Sequence, residues 1–360
     1  APGAGGGGGG AAVGVAACTT EPFRIMDVQF QDGNVNAGIT QMRTAAFNAL
    51  EWNPEDLISL VEPVFRLTGC IERCNIPLDK LSKWAQAAWK LYRENPFHNW
   101  FHGFSCFQMS YYMLNTNSIG PKLTALEGFA LLVASLCHDL DHPGFTNSFM
   151  IDSQSPLALR HNDMSVLENH HANLACELLR REGTAIGGGL DAESQKTLRK
   201  LVIKCILDTD MSHHGEMCQT LQAATGGDVS KQLLMSTIIH CSDLSGQVLP
   251  WRVSSQWEER ISQEFVNQAH EENIAGRTPM PFMCFKLEDL KQRGKLQRDF
   301  MDFVLVPLWD PFSQLFSELR PCYRNLLKNR AFYQHRWNTG EDPKDDRGAR
   351  PRRVSYGGPP

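Results

Sequence analysis

His102, the adjacent His138-Asp139 pair and Asp243 offer two imidazoles and two carboxylates from three separate segments of the chain. A mixed nitrogen and oxygen donor set suits a zinc-type ion, with a second, harder ion beside it. His98 stands four residues before His102, so on a helix both rings project from one face. Ions that generate a hydroxide, with a spare His to protonate a leaving group, are the working parts of a hydrolase. Taken alone, His98 and His102 also fit an aromatic-rich helix start, with Phe97, Trp100 and Phe101 packing in a core. The segment is not the zincin pattern, because no Glu follows the first His.

The run His138-Asp139-Leu140-Asp141-His142 carries four titratable groups in five residues, directly after an apolar stretch. Burying them is costly unless the charges are compensated, and a metal ion is the natural compensation. Asp139 has two oxygens and so can bridge two ions, which an imidazole cannot. His142 fits a supporting place near a bridging water better than that of a direct ligand. Asn162-Asp163 and Glu168-Asn169-His170-His171 form a further polar cluster, readable as a helix cap with solvated charges or as support for metal-bound waters. Asp208 and Asp210 with His213 and His214 are a weaker version, for which surface placement competes. Gly187-Gly188-Gly189 lacks a following Lys-Ser/Thr and reads as a loop.

The elements that must position these groups are almost wholly helical. Asn53-Pro54-Glu55-Asp56 opens a helix with a capping Asn, Pro at the first position and acids by the positive end. Thr124-x-x-Glu127 is a capping box before the Phe129–Leu136 run, which is apolar all round and therefore central and buried. That run ends at His138-Asp139, and Pro143-Gly144 then breaks it. A later helix over Leu233 to His240 delivers Asp243 in the same way. Ligands at the ends of rigid buried elements are well controlled in position.

The chain has 360 residues, 42% hydrophobic and 21% charged, with a formal net charge of -5. This is ordinary for a globular protein, and the mild acidity argues against nucleic acid as a partner. No apolar run reaches membrane-spanning length. The 11 cysteines are an odd number without repeating spacing, which reads as reduced intracellular thiols and a cytoplasmic location. Residues 1–22 read as a Gly/Ala-rich disordered linker, 23–337 as one domain and 338–360 as a disordered polar tail. The chain begins with Ala1, not Met, which leaves room for a fragment of a larger, anchored protein.

Several stretches occur together in one order: Asn95-Pro96-Phe97-His98-Asn99-Trp100-Phe101-His102, then His138-Asp139-Leu140-Asp141-His142-Pro143-Gly144-Phe145-Thr146-Asn147, then Asn162-Asp163 through His171, then Asp243-Leu244-Ser245. Gln297-x-x-Phe300 and Phe303-Val304-Leu305-Val306-Pro307 follow. The set resembles the catalytic domain of class I 3′,5′-cyclic nucleotide phosphodiesterases over about residues 47 to 337, and most of all the type 9, cGMP-selective subfamily. The resemblance implies an all-α, HD-type domain of about sixteen helices. It implies zinc on His102, His138, Asp139 and Asp243, and magnesium or manganese held by Asp139 and waters. His142, Asn147, Glu168 and His171 would support the ions. A bridging hydroxide would attack phosphorus while His98 protonates the departing 3′ oxygen. Gln297 would bond the purine edge, with Phe300 and Ile261 on its faces and Phe265 nearby.

The chain departs from that pattern around the base. Gly246 stands where an Asn is usual, and Phe265 where type 9 enzymes have a Tyr. Cys284-Phe285 replaces Asp-Arg, and Gln268-Ala269-His270 replaces Gln-Gly-Asp. The expected activity is hydrolysis of cGMP, with cAMP also a candidate, to the 5′-monophosphate. Another HD-class metal phosphohydrolase and a non-catalytic cyclic-nucleotide sensor are the alternatives. The resemblance is compatible with a homodimer. Arg352-Arg353-Val354-Ser355 resembles a basophilic kinase site, with Ser355 as acceptor.

Overall fold

The computed structural model describes residues 18–343; Ser355 and its kinase-like motif lie outside them. Helices follow one another from Gly33–Met42 to Arg320–Thr339, and the described residues contain no strand beyond one isolated bridge between Pro22 and Thr124. The principal ones are α1 (Leu78–Leu91), α2 (Trp100–Leu114), α3 (Ala125–Cys137), α4 (Val166–Arg180), α5 (Ala192–Leu207), α6 (Lys231–Asp243), α7 (Trp251–Ile274), α8 (Leu290–Phe300), α9 (Val306–Leu315) and α10 (Arg320–Thr339). No helix among the described residues is long and apolar enough to cross a membrane.

The cap signals are realised. Asn53 accepts from the Asp56 N–H at the start of Pro54–Ser59, and Thr124 and Glu127 bond reciprocally at the start of α3. Being apolar on all sides, α3 takes the centre, and α2, α5 and α6 pack around it. Ser110 of α2 bonds to Ser135 of α3 and Ser242 of α6, at 2.7 and 2.9 Å. These hydroxyls cross-link the three helices whose ends carry the metal-type residues, and inside the core each satisfies the others.

A π-helical turn over Met301–Leu305 joins α8 to α9. Pro307 explains it: proline has no N–H to give, and its ring would clash with the Phe303 carbonyl in a regular helix. The wide turn buries Met301 and Leu305 and leaves Phe303 74% exposed.

Two expectations need correction. The cysteines are not all thiols, because Cys18 and Cys74 form a disulfide, while the other nine are free. Pairing follows from the N-terminal segment folding back over the body, where the Phe23 N–H bonds to the Leu123 carbonyl at 2.7 Å. Nothing in the spacing of two cysteines 56 residues apart announces that path. Asp208 and Asp210 are buried rather than on the surface. Asp208 takes Ser236 Oγ at 2.5 Å and Asp210 takes Ser165 Oγ at 2.6 Å, so both tie helices together.

Candidate active site

Three helix ends converge. His102 lies in the first turn of α2, His138 caps the C-terminus of α3 with Asp139 beside it, and Asp243 is the last residue of α6. His102 Nε2 stands 3.1 Å from His138 Nε2, 3.0 Å from Asp243 Oδ1 and 3.2 Å from Asp139 Oδ2. His138 Nε2 stands 3.2 Å from Asp243 Oδ1 and 3.3 Å from Asp139 Oδ2. Ligand atoms about 2.0–2.2 Å from one shared zinc-type ion are about 3.0–3.5 Å from each other. The donor set therefore has the spacing of atoms around a common cation. The ring orientations agree: His138 Nδ1–H donates to the Ser135 carbonyl at 3.0 Å, which leaves the Nε2 lone pair facing inward.

Asp139 faces two ways. Its Oδ2 meets His102 and His138, while Oδ1 lies 3.6 Å from His171 Nε2. Asp139, His142 and His171 form a second group with mutually close donor atoms. His171 Nδ1–H donates to the Leu140 carbonyl at 2.6 Å, so its Nε2 is a buried acceptor with no hydrogen-bond partner among the described residues. His142 is set the opposite way. The Gly144 N–H donates to its Nδ1 at 3.0 Å, so the neutral ring carries its proton on Nε2 and acts there as a donor. Gly144 has φ +79°, and a Cβ would come within 3.0 Å of Asn95 Oδ1, so glycine suits this turn on both counts. Glu168 accepts both of its hydrogen bonds from Asn147 Nδ2, at 3.1 and 2.9 Å. Burial raises the Glu168 carboxyl to about 7 against the lowering effect of Asn147.

Electrostatics follow the clustering. Burial opposes charge on both His138 and Asp139, yet their mutual attraction outweighs it. The imidazole is held well above its ordinary range and the carboxylate well below it. A cation shared between them would replace that proton.

His98 is not on the helix that holds His102. Asn99 caps α2, taking the N–H groups of Phe101 and His102, so His98 sits in the turn before it. The two rings still lie 5.6 Å apart. Glu264 of α7, which nothing in the sequence singles out, fixes His98: Oε2 meets His98 Nδ1 at 2.5 Å and Oε1 takes the N–H groups of Phe97 and His98 at 2.8 Å. Glu264 is 3% exposed. Burial disfavours the charged ring, but Glu264 more than offsets this and raises His98 to about 9. The ring stacks on His142 at 3.9 Å, and burial first, then the His98 charge, holds His142 well below its ordinary range. Asn95 Nδ2 ties the two segments of this arrangement, donating to the carbonyls of His98 and His142 at 2.8 and 2.7 Å.

The residues expected around a base come from α7 and α8. Gln297 is 4% exposed, and no hydrogen bond to its side-chain amide is made by the described residues. An amide free of such partners suits an incoming polar edge, to which it can both donate and accept. Phe300 packs half-buried against the core, Ile261 is half-buried, and Phe265 meets Phe282 edge-on at 5.5 Å. Gly246 faces Trp257: a Cβ there would lie 3.3 Å from Trp257 Cβ.

The sequence matches the 3′5′-cyclic nucleotide phosphodiesterase family over residues 97–326. It is 34% identical over 296 residues to the 3′,5′-cyclic-nucleotide phosphodiesterase regA of Dictyostelium discoideum, covering 80% of this chain and 37% of that protein. It is 36% identical over 283 residues to the high affinity cGMP-specific 3′,5′-cyclic phosphodiesterase 9A of Drosophila melanogaster, covering 77% of this chain and 18% of the relative. The chain thus spans well under half the length of either protein. The phosphodiesterase domain of the RhoPDE fusion protein from Salpingoeca rosetta superposes with a TM-score of 0.80 at 33% identity, covering 85% of this chain and 99% of that one. With one third of its residues shared along most of its length and the same helical frame beneath them, the chain belongs to the 3′,5′-cyclic nucleotide phosphodiesterase family.

Proposed function

We propose that this domain hydrolyses 3′,5′-cyclic GMP, and cyclic AMP less well, to the 5′-monophosphate in the cytoplasm. The observation that carries the reading is the juxtaposition of a four-donor cation cluster with a His98–Glu264 pair about one ring away. His102, His138, Asp139 and Asp243 would hold zinc, and the other Asp139 oxygen would hold magnesium or manganese. Bound there, the cations supply a hydroxide at neutral pH and neutralise the phosphodiester.

The chain's own residues do the rest. Glu264 keeps His98 protonated and aimed by holding Nδ1, which leaves Nε2–H free to donate to the leaving 3′ oxygen. His142 Nε2–H and the bare His171 Nε2 offer a donor and an acceptor beside Asp139, enough to orient a water. Gln297 can both donate to and accept from a purine edge, and Phe300 offers a flat apolar face. The cGMP preference rests on likeness to proteins named as cGMP-specific.

Purified protein supplied with zinc and magnesium should turn over cGMP at micromolar concentration, with a smaller kcat/KM for cAMP. Absence of turnover of both nucleotides in metal-replete protein refutes the activity. A larger kcat/KM for cAMP refutes the preference.

A further inference from the structure

Three charges lie buried behind the base-pocket residues. Glu258 of α7, Arg293 of α8 and Arg336 of α10 are 0%, 6% and 3% exposed. Arg293 meets Glu258 as a fork, Nε to Oε1 at 2.8 Å and Nη2 to Oε2 at 2.7 Å. Arg336 Nη1 shares Oε2 at 2.7 Å, and Ser262 Oγ donates to Oε1 at 2.8 Å. The remaining donors are used as well: Arg293 Nη1 reaches the Leu287 carbonyl at 2.7 Å, and Arg336 Nε reaches Asp342 at 2.8 Å. None of these side-chain bonds touches the cation cluster.

Stability does not account for such a cluster, because apolar residues of similar volume generally serve as well. A planar fork does fix orientation, as it bonds only along one direction and in one plane. Sequence position says which residues inherit that orientation. Ile261 lies three residues after Glu258, and Gln297 four after Arg293, so each shares a helix face with its charged neighbour one turn along. Next to the fork, α8 also sits directly on α10, the helix that carries Arg336. A Cβ at Gly294 would lie 2.6 Å from the Trp337 nitrogen and 2.9 Å from the Tyr333 carbonyl oxygen. The helix bearing Gln297 and Phe300 is therefore held by a charge fork and by a close backbone contact one residue later.

We infer that Glu258, Arg293 and Arg336 are positioning residues for base recognition. The cluster sets the register of α8 against α7, and with it the separation at which Gln297, Phe300 and Ile261 meet a purine. This rests on the proposed base pocket.

The test compares Glu258→Gln, Arg293→Met and Gln297→Ala in the full metal-loaded chain, measuring zinc content and kcat and KM for cGMP and cAMP. The two cluster variants should keep their zinc and nearly unchanged kcat, raise KM for cGMP about tenfold and shrink the cGMP/cAMP ratio of kcat/KM about fivefold. Arg293→Lys, which restores charge but not the fork, should recover less than half of that loss. The replacement of all three by Glu258→Leu, Arg293→Met and Arg336→Met leaves no charge stranded and should fold with the same loss of selectivity. If that triple variant does not fold, the cluster serves stability and the inference is overturned. It is equally overturned if the folded variants keep their KM and selectivity, or lose kcat equally for both nucleotides. Selectivity unchanged in Gln297→Ala would instead remove the base pocket itself. An effect of Gln297→Ala with silent cluster variants would remove the cluster's role alone.

Discussion

The two halves of the site are built by opposite means. The cation half gathers short, acidic and imidazole side chains from three buried helix ends, and the rings of His138, His142 and His171 are each turned by a backbone carbonyl or N–H. The base half uses the sides of one long and one short polar helix, and no hydrogen bond to its central amide is made by the described residues. Fixed charges demand donors placed to a few tenths of an ångström. A flat heterocycle demands only a slot and one hydrogen-bonding edge. The first half has little freedom to vary in sequence, and the second has much.

The largest expected effect lies in the cation half. Asp243→Asn turns the carboxylate that lies close to both His102 and His138 into a neutral amide, and should abolish zinc retention and turnover together, by roughly a thousandfold or more. Retention of zinc by metal analysis would contradict the shared-ion geometry. Next comes the acid. Glu264→Gln should lower kcat by about 10²–10⁴-fold while leaving KM for cGMP little changed. It should also move the alkaline limb of the pH–rate profile. Burial alone would lower His98, and Glu264 reverses this and raises it to about 9. The acid therefore stays protonated at neutral pH, and loss of Glu264 shifts the limb downward. The same raised value stabilises the fold fully below the ordinary histidine range, a contribution lost as pH rises through about 9. A limb that does not move in Glu264→Gln would disconnect the pair.

Smaller effects belong to the base half. Phe300→Ala should raise KM about tenfold by loss of a stacking face, with kcat preserved. A matching fall in kcat would show that the two halves are not separable. Least of all, Gly246→Ala should cost about 1 kcal/mol or less in urea titration, since its new Cβ must press on Trp257. Unaltered stability would mean that Trp257 yields freely, and Gly246→Asn would then be a fair test of base choice.

The difference between the halves also governs what is legible in the sequence. His138 and Asp139 stand out because charge clustered directly after an apolar helix is too costly to bury without a compensating ion, and Asp243 ends another buried helix, whereas His102 is picked out by its spacing from His98 and by the family pattern. The caps at Asn53 and Thr124 are local bonds, and so they too are legible. Glu264 is not, because it is one acid among many in a polar helix and its partner lies 166 residues away. The Cys18–Cys74 bridge, the burial of Asp208 and the Glu258–Arg293 fork depend likewise on which distant elements meet. The four-residue spacing of His98 and His102 suggests one shared helix, yet the Asn99 side chain starts that helix between them. Spacing alone does not reveal which of several polar residues becomes the cap.

The π turn at Met301–Leu305 carries one residue more than a regular helix would need. Each residue of a helix advances the chain by about 100°. Deleting a single residue between 301 and 305 would take back that surplus, so the turn would close toward regular helix with α9 near its present angle. Leu308, Trp309 and Phe312 would stay buried, and the penalty would be the Pro307 ring pressed against the carbonyl four residues before it. A one-residue gap would thus be far milder in this turn than inside a regular helix, where it would swing every later side chain by more than a quarter turn.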